Sequence, residues 1–192
     1  MHSFNYNQLT PENARIAKKR FIALDFETTG FSSSRDRIIE IGAVLFEDGE
    51  PSKVLSTLVN PSMDINPAAM AVNGITMQMV RNSPSQEEAA ELLDAFLSEA
   101  KSGQVPIVGH NVKFDLGFLE ALWRRHLGCS YSIEAFDTCQ ISRRFLCLPG
   151  YKQSEVASYY GIVNEKAHRA YEDAVCCGRI FLRLCEEVEQ TY

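Results

Sequence analysis

The sequence contains no long apolar run, and this absence limits where the protein can work. No stretch approaches the roughly 18 apolar residues that a membrane-spanning helix needs. The first seven residues, MHSFNYN, lack the basic and apolar regions of a secretion signal. Repeats and low-complexity segments are absent as well. We therefore expect a soluble, unsecreted, cytoplasmic protein with no membrane contact.

Basic residues are too few for a protein that binds nucleic acid by charge alone. The chain has 19 Lys and Arg against 25 Asp and Glu, which gives a formal net charge of −6. A clear excess of positive charge is the electrostatic signature of passive nucleic-acid binding. The acidic balance disfavours a binding module of that kind, although a local basic patch stays compatible with the sequence.

The cysteines form no CxxC pair of the kind that binds zinc or catalyses redox exchange. Their neighbours follow apolar helical patterns, which favours buried free thiols in a reducing compartment over disulfides or a zinc site. All six lie in the last third of the chain: Cys129, Cys139, Cys147, Cys176, Cys177 and Cys185.

The chain is long enough for one well-buried core, with 192 residues of which 45% are hydrophobic. Residues 1–19 read as an N-terminal extension packed outside that core, with a short helix that begins at Thr10-Pro-Glu and ends near Lys19. Residues 20–192 then form a single catalytic or binding domain. We expect one compact unit.

The order of predicted elements favours a layered α/β or α+β domain with a mixed sheet. Early segments have strand character and short separations, which predicts an antiparallel meander. From about Ser83 the apolar spacing becomes helical. The predicted strands are 20–27, 37–46, 53–59 and a brief 105–109, and the predicted helices are 83–100, 111–127, 137–146, 153–160 and 168–189.

The segment ALDFETTG at residues 23–30 places two carboxylates at the end of an apolar strand. Residues i and i+2 of a strand point to the same face, so Asp25 and Glu27 emerge together. Two such charges repel and are costly to desolvate, and a divalent metal would compensate both. Taken alone, the pair is equally consistent with Asp25 as a cap and Glu27 in solvent.

A second segment, GHNVKFDLGFL at residues 109–119, runs from a short strand into a helix. Asp115 lies beside the apolar stripe that begins at Phe114, where an ionised side chain is unusual. On an ordinary surface helix this carboxylate would be solvated, and His110 and Asn111 would only cap the helix start. Asp115 is thus a candidate partner for the first two carboxylates.

A third segment, AHRAYEDA at residues 167–174, opens the final predicted helix. Five helical positions turn through about 140°, so His168 and Asp173 cannot share one helical face. His168 must therefore lie on the preceding loop or the first turn, above a site toward which Asp173 points. A histidine at a helix start is otherwise a common structural hydrogen-bonding residue.

Together, LDFETTG, GHNVKFDLGFL and AHRAYEDA resemble the three motifs of the DEDDh, or DnaQ-like, 3′–5′ exonuclease family. This family includes the proofreading epsilon subunit of bacterial DNA polymerase III. The resemblance spans about residues 20–184. Arg169 stands where the sister DEDDy group has tyrosine, and His168 marks the DEDDh type.

The resemblance implies a ribonuclease-H-like α/β fold with a mixed five-stranded sheet flanked by helices. It also implies two divalent metal ions, Mg²⁺ or Mn²⁺, and a histidine general base. Oxygen ligands suit these ions. The metal ligands so implied are Asp25, Glu27, Asp115 and Asp173, with His168 as the base; these five residues are the expected catalytic set.

The resemblance further assigns residues to the substrate. Thr28 would contact the terminal nucleotide, and Asn111 is a further candidate contact. Residues 73–76 occupy the place of a His-Gly-Ile-Thr segment that lines the terminal base and sugar in many relatives, with Asn73 in place of the histidine. Ile75 would pack against a base or, alternatively, anchor its loop in the core.

The expected reaction is hydrolysis of phosphodiester bonds from the 3′ end of a single strand, with DNA favoured and nucleoside 5′-monophosphates released. Alternatives are an exoribonuclease that acts on RNA ends and a catalytically weak nucleic-acid-binding module of the same fold. A cysteine hydrolase using His168 is disfavoured because no strand-turn nucleophile motif occurs. The chain ends at Tyr192, which predicts a stand-alone or loosely partnered enzyme of DNA repair or turnover, with a polymerase or repair partner left open.

Overall fold

The computed structural model describes residues 4–191, which form six strands and nine helices. The strands are β1 (Phe4–Tyr6), β2 (Arg20–Thr28), β3 (Ile38–Glu47), β4 (Glu50–Leu58), β5 (Ile107–Gly109) and β6 (Ile133–Asp137). The helices are α1 (Pro11–Ala17), α2 (Pro67–Asn73), α3 (Met77–Val80), α4 (Gln86–Phe96), α5 (Ser98–Lys101), α6 (Lys113–His126), α7 (Thr138–Phe145), α8 (Gln153–Tyr159) and α9 (Ala170–Thr191).

One mixed sheet forms the centre of the fold, with strand order β1-β6-β5-β2-β3-β4. Strands β2, β3 and β4 pair antiparallel, which confirms the predicted meander. Strands β5 and β6 join parallel to this set, and β1 pairs parallel with β6. Central strand β2 is buried on both faces from Phe21 to Leu24, as its unbroken apolar run predicts. The α/β class with a mixed sheet is therefore confirmed.

The sheet has one strand more than the five that were expected, because the N-terminal segment contributes β1. The prediction that this segment packs outside the core is wrong for its described part. Leu9, Ala14 and Ala17 are buried in the same cluster as helix α9. A three-residue strand is too short to carry a period, and its pairing with β6 involves residues almost 130 positions away. The boundary between residues 19 and 20 stays a prediction.

The predicted helices are all present, with ends shifted by a few residues. The predicted helix 83–100 is divided at Leu97 into α4 and α5, and Ser85 forms a capping box with Glu88 at the start of α4. Strand β6 and the short helices α2 and α3 were not predicted. Asp137, the last residue of β6, is also the N-cap of α7, where its side chain accepts from Cys139 and Gln140 N–H groups.

Helices cover both faces of the sheet and create two large apolar cores, beside a smaller cluster that includes Ile39 and Ile75. One core joins the sheet to α4 and α6 and includes the single tryptophan, Trp123. The other joins it to α1, α7, α8 and α9, and contains the free thiols of Cys176, Cys177 and Cys185. Buried thiols are confirmed for these three, whereas Cys147 is exposed. None of the helices among residues 4–191 combines the length and apolar character needed to cross a bilayer.

Helix α9 approaches the sheet so closely that two positions accept only glycine. A Cβ atom at Gly42 of β3 would lie 2.1 Å from the carbonyl group of Ala170, at the start of α9. A Cβ atom at Gly178 would lie 2.3 Å from the ring of Phe46. That ring cannot move aside, because it is fully buried and stacks on Phe21 at 4.9 Å. The two glycines therefore set the separation of helix and sheet.

We predict that Gly178→Ala lowers the free energy of unfolding by about 1–3 kcal/mol, because the added methyl group overpacks the contact with Phe46. Gly117→Ala in helix α6 is the matched control, since its nearest neighbour is the Ser33 side chain at an ordinary 3.7 Å. That change should raise the free energy of unfolding by about 0.5–1 kcal/mol through helix propensity. Urea unfolding of the unmodified protein and the two variants measures both changes. If both variants changed the free energy of unfolding in the same direction, the packing argument would be contradicted.

Candidate active site

A cleft of about 850 Å³ opens beside the ends of β2 and β5. Helix α6 forms one wall, and α8 with the loop before α9 forms the other. All five residues of the expected catalytic set line this cleft, although they come from three distant parts of the chain. They are Asp25, Glu27, Asp115, His168 and Asp173.

The first two carboxylates share one face of β2, as the strand period predicts. Asp25 and Glu27 are half-buried at the cleft, whereas Phe26 between them points to the opposite side and is buried. In the antiparallel pair with β3, Asp25 lies opposite Gly42 and Glu27 opposite Glu40. The strand register therefore places a third carboxylate next to the pair.

Asp115 joins this strand from helix α6. It is only 4% exposed, and its Oδ1 accepts a hydrogen bond from the backbone N–H of Phe26 at 3.0 Å. Because Phe26 N–H lies between the two β2 carboxylates, the bond fixes Asp115 beside both of them. The carboxylate beside the apolar stripe of α6 is thus part of the site and is not solvated.

His168 lies on the loop immediately before α9, as predicted from its spacing to Asp173. Its φ angle is 65°, a left-handed conformation that few side chains adopt. Its backbone N–H donates to Asp173 Oδ2 at 2.8 Å. Asp173 Oδ1 accepts from Asn164 Nδ2 at 2.7 Å and from Gln153 Nε2 at 3.1 Å. Hydrogen bonds to both oxygens hold Asp173 and the loop together.

The arrangement of donor atoms fits a divalent cation. One ligand atom each from Glu27, His168 and Asp173 can be chosen so that all lie within 4.8 Å of one another. Carboxylate oxygens are the ligands that Mg²⁺ and Mn²⁺ prefer. Asp25 and Asp115 add further oxygens at the same cleft.

The electrostatics of the cleft also favour a bound cation. Desolvation raises the pKa of Asp25 well above its ordinary value, and the charges of Asp115 and Asp173 raise it further. Desolvation also raises the pKa of Glu27 to about 7 and that of Asp115 to about 8. The pKa of Asp173 is raised as well, again mainly by desolvation. Near neutral pH the cluster must therefore take up protons or cations.

Two of the expected substrate residues lie at the cleft end of β2 and β5. Asn111 lines the cleft with a φ of 62°, which asparagine tolerates better than most residues. Its backbone N–H donates to Asp137 Oδ1 at 3.0 Å, which ties this position to the end of β6. Thr28 is buried, and its hydroxyl donates to the carbonyl of Gly30 at 2.7 Å.

The other two expected substrate residues, Asn73 and Ile75, are held by contacts with Glu27 and with the core. Asn73 Nδ2 donates to Glu27 Oε2 at 3.2 Å, and Asn73 Oδ1 accepts from the N–H of Ile75. Asn73 therefore orients a candidate metal ligand, and its bond lowers the pKa of Glu27 against the dominant desolvation. Ile75 is fully buried against Ile39 and its neighbours, which matches the loop-anchor alternative and not a base contact.

His110 of the second motif lines the cleft, but both of its ring nitrogens are bonded to other parts of the protein. Its Nδ1 is 2.9 Å from Thr138 Oγ1 and its Nε2 is 2.8 Å from the carbonyl oxygen of Tyr151. Burial lowers the pKa of this imidazole. Both ring nitrogens are thus engaged in tying the end of β5 to helix α7 and to the segment before α8.

Sequence reasoning missed three residues that support the site. Gln153 and Asn164 bind Asp173, but each is an ordinary polar residue in a polar segment. Glu40 gave a stronger signal, because it is a lone carboxylate within the apolar run 38–46. A charge in a buried strand needs a partner.

The sequence also shows similarity to known proteins. The family model described as "Exonuclease", RNase_T, matches residues 22–181. DNA polymerase III PolC-type of Thermotoga petrophila is 34% identical over 170 residues, which cover 88% of this chain and 12% of that protein. The 3′-5′ exonuclease DinG of Bacillus subtilis is 35% identical over 175 residues, which cover 90% of this chain and 18% of that protein. The chain thus spans less than a fifth of the length of these curated relatives.

Solved structures show the same fold. Exonuclease I of E. coli in complex with a dT13 oligonucleotide superposes with a TM-score of 0.75 at 18% identity, covering 90% of this chain and 42% of that one. Exonuclease X in complex with 5′ overhanging duplex DNA superposes with a TM-score of 0.66 at 26% identity, covering 87% of this chain and 90% of that one. With the match over residues 22–181 and the clustering of all three sequence motifs in one cleft, the chain belongs to the RNase_T exonuclease family.

Proposed function

We propose that this chain is a metal-dependent 3′–5′ exonuclease that shortens single-stranded nucleic acid, with DNA favoured, and releases nucleoside 5′-monophosphates. One observation carries the proposal. A carboxylate oxygen of Glu27, one of Asp173 and a ring nitrogen of His168 lie within 4.8 Å of one another, and the buried carboxylate of Asp115 lines the same cleft. A cleft with this many carboxylates cannot hold a phosphodiester unless cations compensate the charge.

Two divalent ions, Mg²⁺ or Mn²⁺, would be held by Asp25, Glu27, Asp115 and Asp173. When bound, such ions neutralise a phosphate group, lower the pKa of a coordinated water and stabilise the leaving oxygen. The protein prepares for them by holding its carboxylates in place before any ligand arrives. The Phe26 N–H fixes Asp115, and Asn73 fixes Glu27. An acidic protein can in this way bind a polyanionic substrate.

His168 is the proposed general base. Its side chain is exposed at the cleft, and its ring lies close to the oxygens of Glu27 and Asp173. A neutral imidazole nitrogen there can accept the proton of the attacking water. The bond from the His168 N–H to Asp173 keeps the ring at this position through the backbone.

The rest of the cleft offers surfaces for a nucleotide. Asn111 lines the same cleft as the carboxylates, and the ring of Phe114 and the exposed Val163 supply apolar area for a base. Thr28, at the end of β2, and Asn73 complete the proposed nucleotide site. Asn73 contributes by orienting Glu27. The names of the DNA polymerase III PolC-type relatives and of exonuclease X in complex with 5′ overhanging duplex DNA support DNA as the substrate. The PolC-type relatives support a polymerase context as a further proposal.

The cysteine alternative loses support from the geometry. Cys176 does line the cleft, but it is only 3% exposed. Desolvation, reinforced by the charge of Asp173, raises the pKa of its thiol to about 11. Because the thiolate is the reactive form, this residue is a poor nucleophile near neutral pH.

The proposal is tested by a gel time course with 5′-labelled single strands of DNA and RNA of one sequence, in Mg²⁺, Mn²⁺ or chelator. A metal-dependent ladder that shortens from the 3′ end confirms the exonuclease. The faster of the two ladders identifies the preferred sugar. A folded protein that shortens neither strand would leave the binding-module alternative in its place.

We predict that Asp25→Ala abolishes turnover and leaves part of the substrate binding intact, because it removes a proposed metal ligand from the floor of the cleft. Rates from the gel time course and affinities from fluorescence anisotropy give the two values. Glu91→Ala, on the exposed face of helix α4, is the control and should behave as the unmodified protein. Normal turnover in Asp25→Ala would contradict the metal assignment.

We predict that His168→Ala lowers the rate of turnover by about two to four orders of magnitude, the range expected for loss of a general base. The melting temperature should change little, since the side chain is exposed. A loss of folded protein in proportion to the loss of rate would instead assign His168 a structural role.

We predict that the metal-free protein becomes less stable as the pH rises. The folded-state pKa values of Glu27, about 7, and Asp115, about 8, lie above the ordinary values of 4.5 and 3.8. The folded state therefore binds more protons than the unfolded state between about pH 4 and pH 8, and this stabilisation is lost as the pH rises through that window. Thermal melts at pH 6 and pH 9 measure the loss.

The same melts test the metal. Mg²⁺ should raise the melting temperature more at pH 9 than at pH 6, because protons compete for the carboxylates at the lower pH. Asp115→Asn keeps an acceptor for the Phe26 N–H and should flatten the pH dependence. A melting temperature that rises with pH in the metal-free protein, unaltered by Asp115→Asn, would contradict the assignment.

A further inference from the structure

Glu40 is a buried carboxylate that the proposed mechanism does not use. It is 3% exposed, lies in the apolar strand β3 and does not line the cleft. Both of its oxygens are engaged by the segment that opens helix α9. Arg169 donates from Nε at 3.0 Å to Oε1 and 3.1 Å to Oε2, and from Nη2 at 2.6 Å to Oε1. Ala170 N–H donates to Oε2 at 3.1 Å.

These bonds hold the backbone on the C-terminal side of His168. On its other side the His168 N–H is bonded to Asp173. The residue is thus fixed between two carboxylates while it adopts a φ of 65°. Such a conformation persists only where the surrounding structure determines it. The bonds from Arg169 and Ala170 to Glu40 hold His168 in this conformation.

The strand register explains why the bonds from Arg169 and Ala170 to Glu40 affect the site. Glu40 lies directly opposite Glu27 in the antiparallel pair, and Gly42 lies opposite Asp25. At Gly42 the missing side chain lets the Ala170 carbonyl approach the strand. The first turn of α9 is therefore docked on the strand next to the one that carries Asp25 and Glu27.

We propose that Glu40 is a positioning residue for His168. Through Arg169 and the Ala170 N–H it fixes the backbone at His168, so that the imidazole faces Glu27 and Asp173. Arg169 then acts within the protein, by its bonds to Glu40. The inference rests on the proposed function, because it assigns Glu40 to the reaction in which His168 is the base.

A double-mutant cycle on rate tests the proposal. Single-turnover rates and KM are measured with a 5′-labelled DNA strand for the unmodified protein, Glu40→Gln, His168→Ala and the double variant. Glu40→Gln should lower the rate by about 10- to 100-fold, the scale expected when a reacting group is misplaced by about 1 Å. The KM should stay within about twofold, as expected when an interaction serves the transition state alone.

The decisive value is the effect of Glu40→Gln in the His168→Ala background. If Glu40 acts through His168, adding Glu40→Gln to His168→Ala lowers the rate no further, because the base is already absent. A merely structural Glu40 would lower the rate by the same factor in both backgrounds, and that result would overturn the proposal. Melting temperatures report how much of each variant is folded.

Arg169→Lys is the second variant, for the case in which Glu40→Gln does not fold. Its side chain is 43% exposed, and lysine keeps the charge but not the two-pronged contact. Arg169→Lys should lower the rate by the same factor as Glu40→Gln, and it should lower the rate no further when His168→Ala is already present. Glu99→Gln is the matched control, because Glu99 also pairs with an arginine, Arg20, at the far end of β2. It should leave the rate unchanged.

A measurement independent of activity separates this proposal from the proposed function. In protein with ¹³C-labelled histidine, the His168 ring signal is assigned from its absence in His168→Ala. Glu40→Gln and Arg169→Lys should shift or broaden that signal, and Glu99→Gln should not. An unaltered signal would overturn the positioning role. Absence of any 3′–5′ ladder in the unmodified protein, with the signal still shifted, would overturn the proposed function alone.

Discussion

The close contact between helix α9 and strand β3 is the constraint on which the site depends. Gly42 and Gly178 remove the side chains that would keep the helix away from the sheet. Glu40 then bonds the first residues of the helix from inside the strand. Since His168 and Asp173 stand at this end of α9 and Asp25 and Glu27 on the neighbouring strand, a shift of the helix by about 1 Å would misplace the two halves of the site relative to each other.

The carboxylate cluster is held together against its own repulsion. Desolvation and mutual charge raise the pKa of Asp25, and desolvation alone dominates at Glu27 and Asp115. The packing of two apolar cores on either face of the sheet supplies the favourable free energy that offsets this cost. A cluster whose repulsion is relieved by bound cations suits the proposed exonuclease, because the cations would also stabilise the charge of a phosphodiester.

Donors around the cleft show how such a cluster is kept in order. Asp115 is bonded by the Phe26 N–H, Glu27 by Asn73, and Asp173 by three donors that include the His168 N–H. Each carboxylate keeps at least part of its surface toward the cleft while a neighbour holds its orientation. His110, although it belongs to the second motif, serves the scaffold by joining β5 to α7.

The local sequence predicted strands β2 to β5, the longer helices and the candidate catalytic residues of this protein. The two-residue period of a strand places Asp25 and Glu27 on one face, and helical spacing places His168 on the loop before α9. These properties depend on neighbours in the chain and were predicted correctly. The tertiary structure alone decided that Glu40 bonds Arg169, that Asn73 bonds Glu27 and that β1 pairs with β6. Those contacts join residues from 46 to 129 positions apart, and no local period encodes which distant groups the packing of helix on sheet brings together.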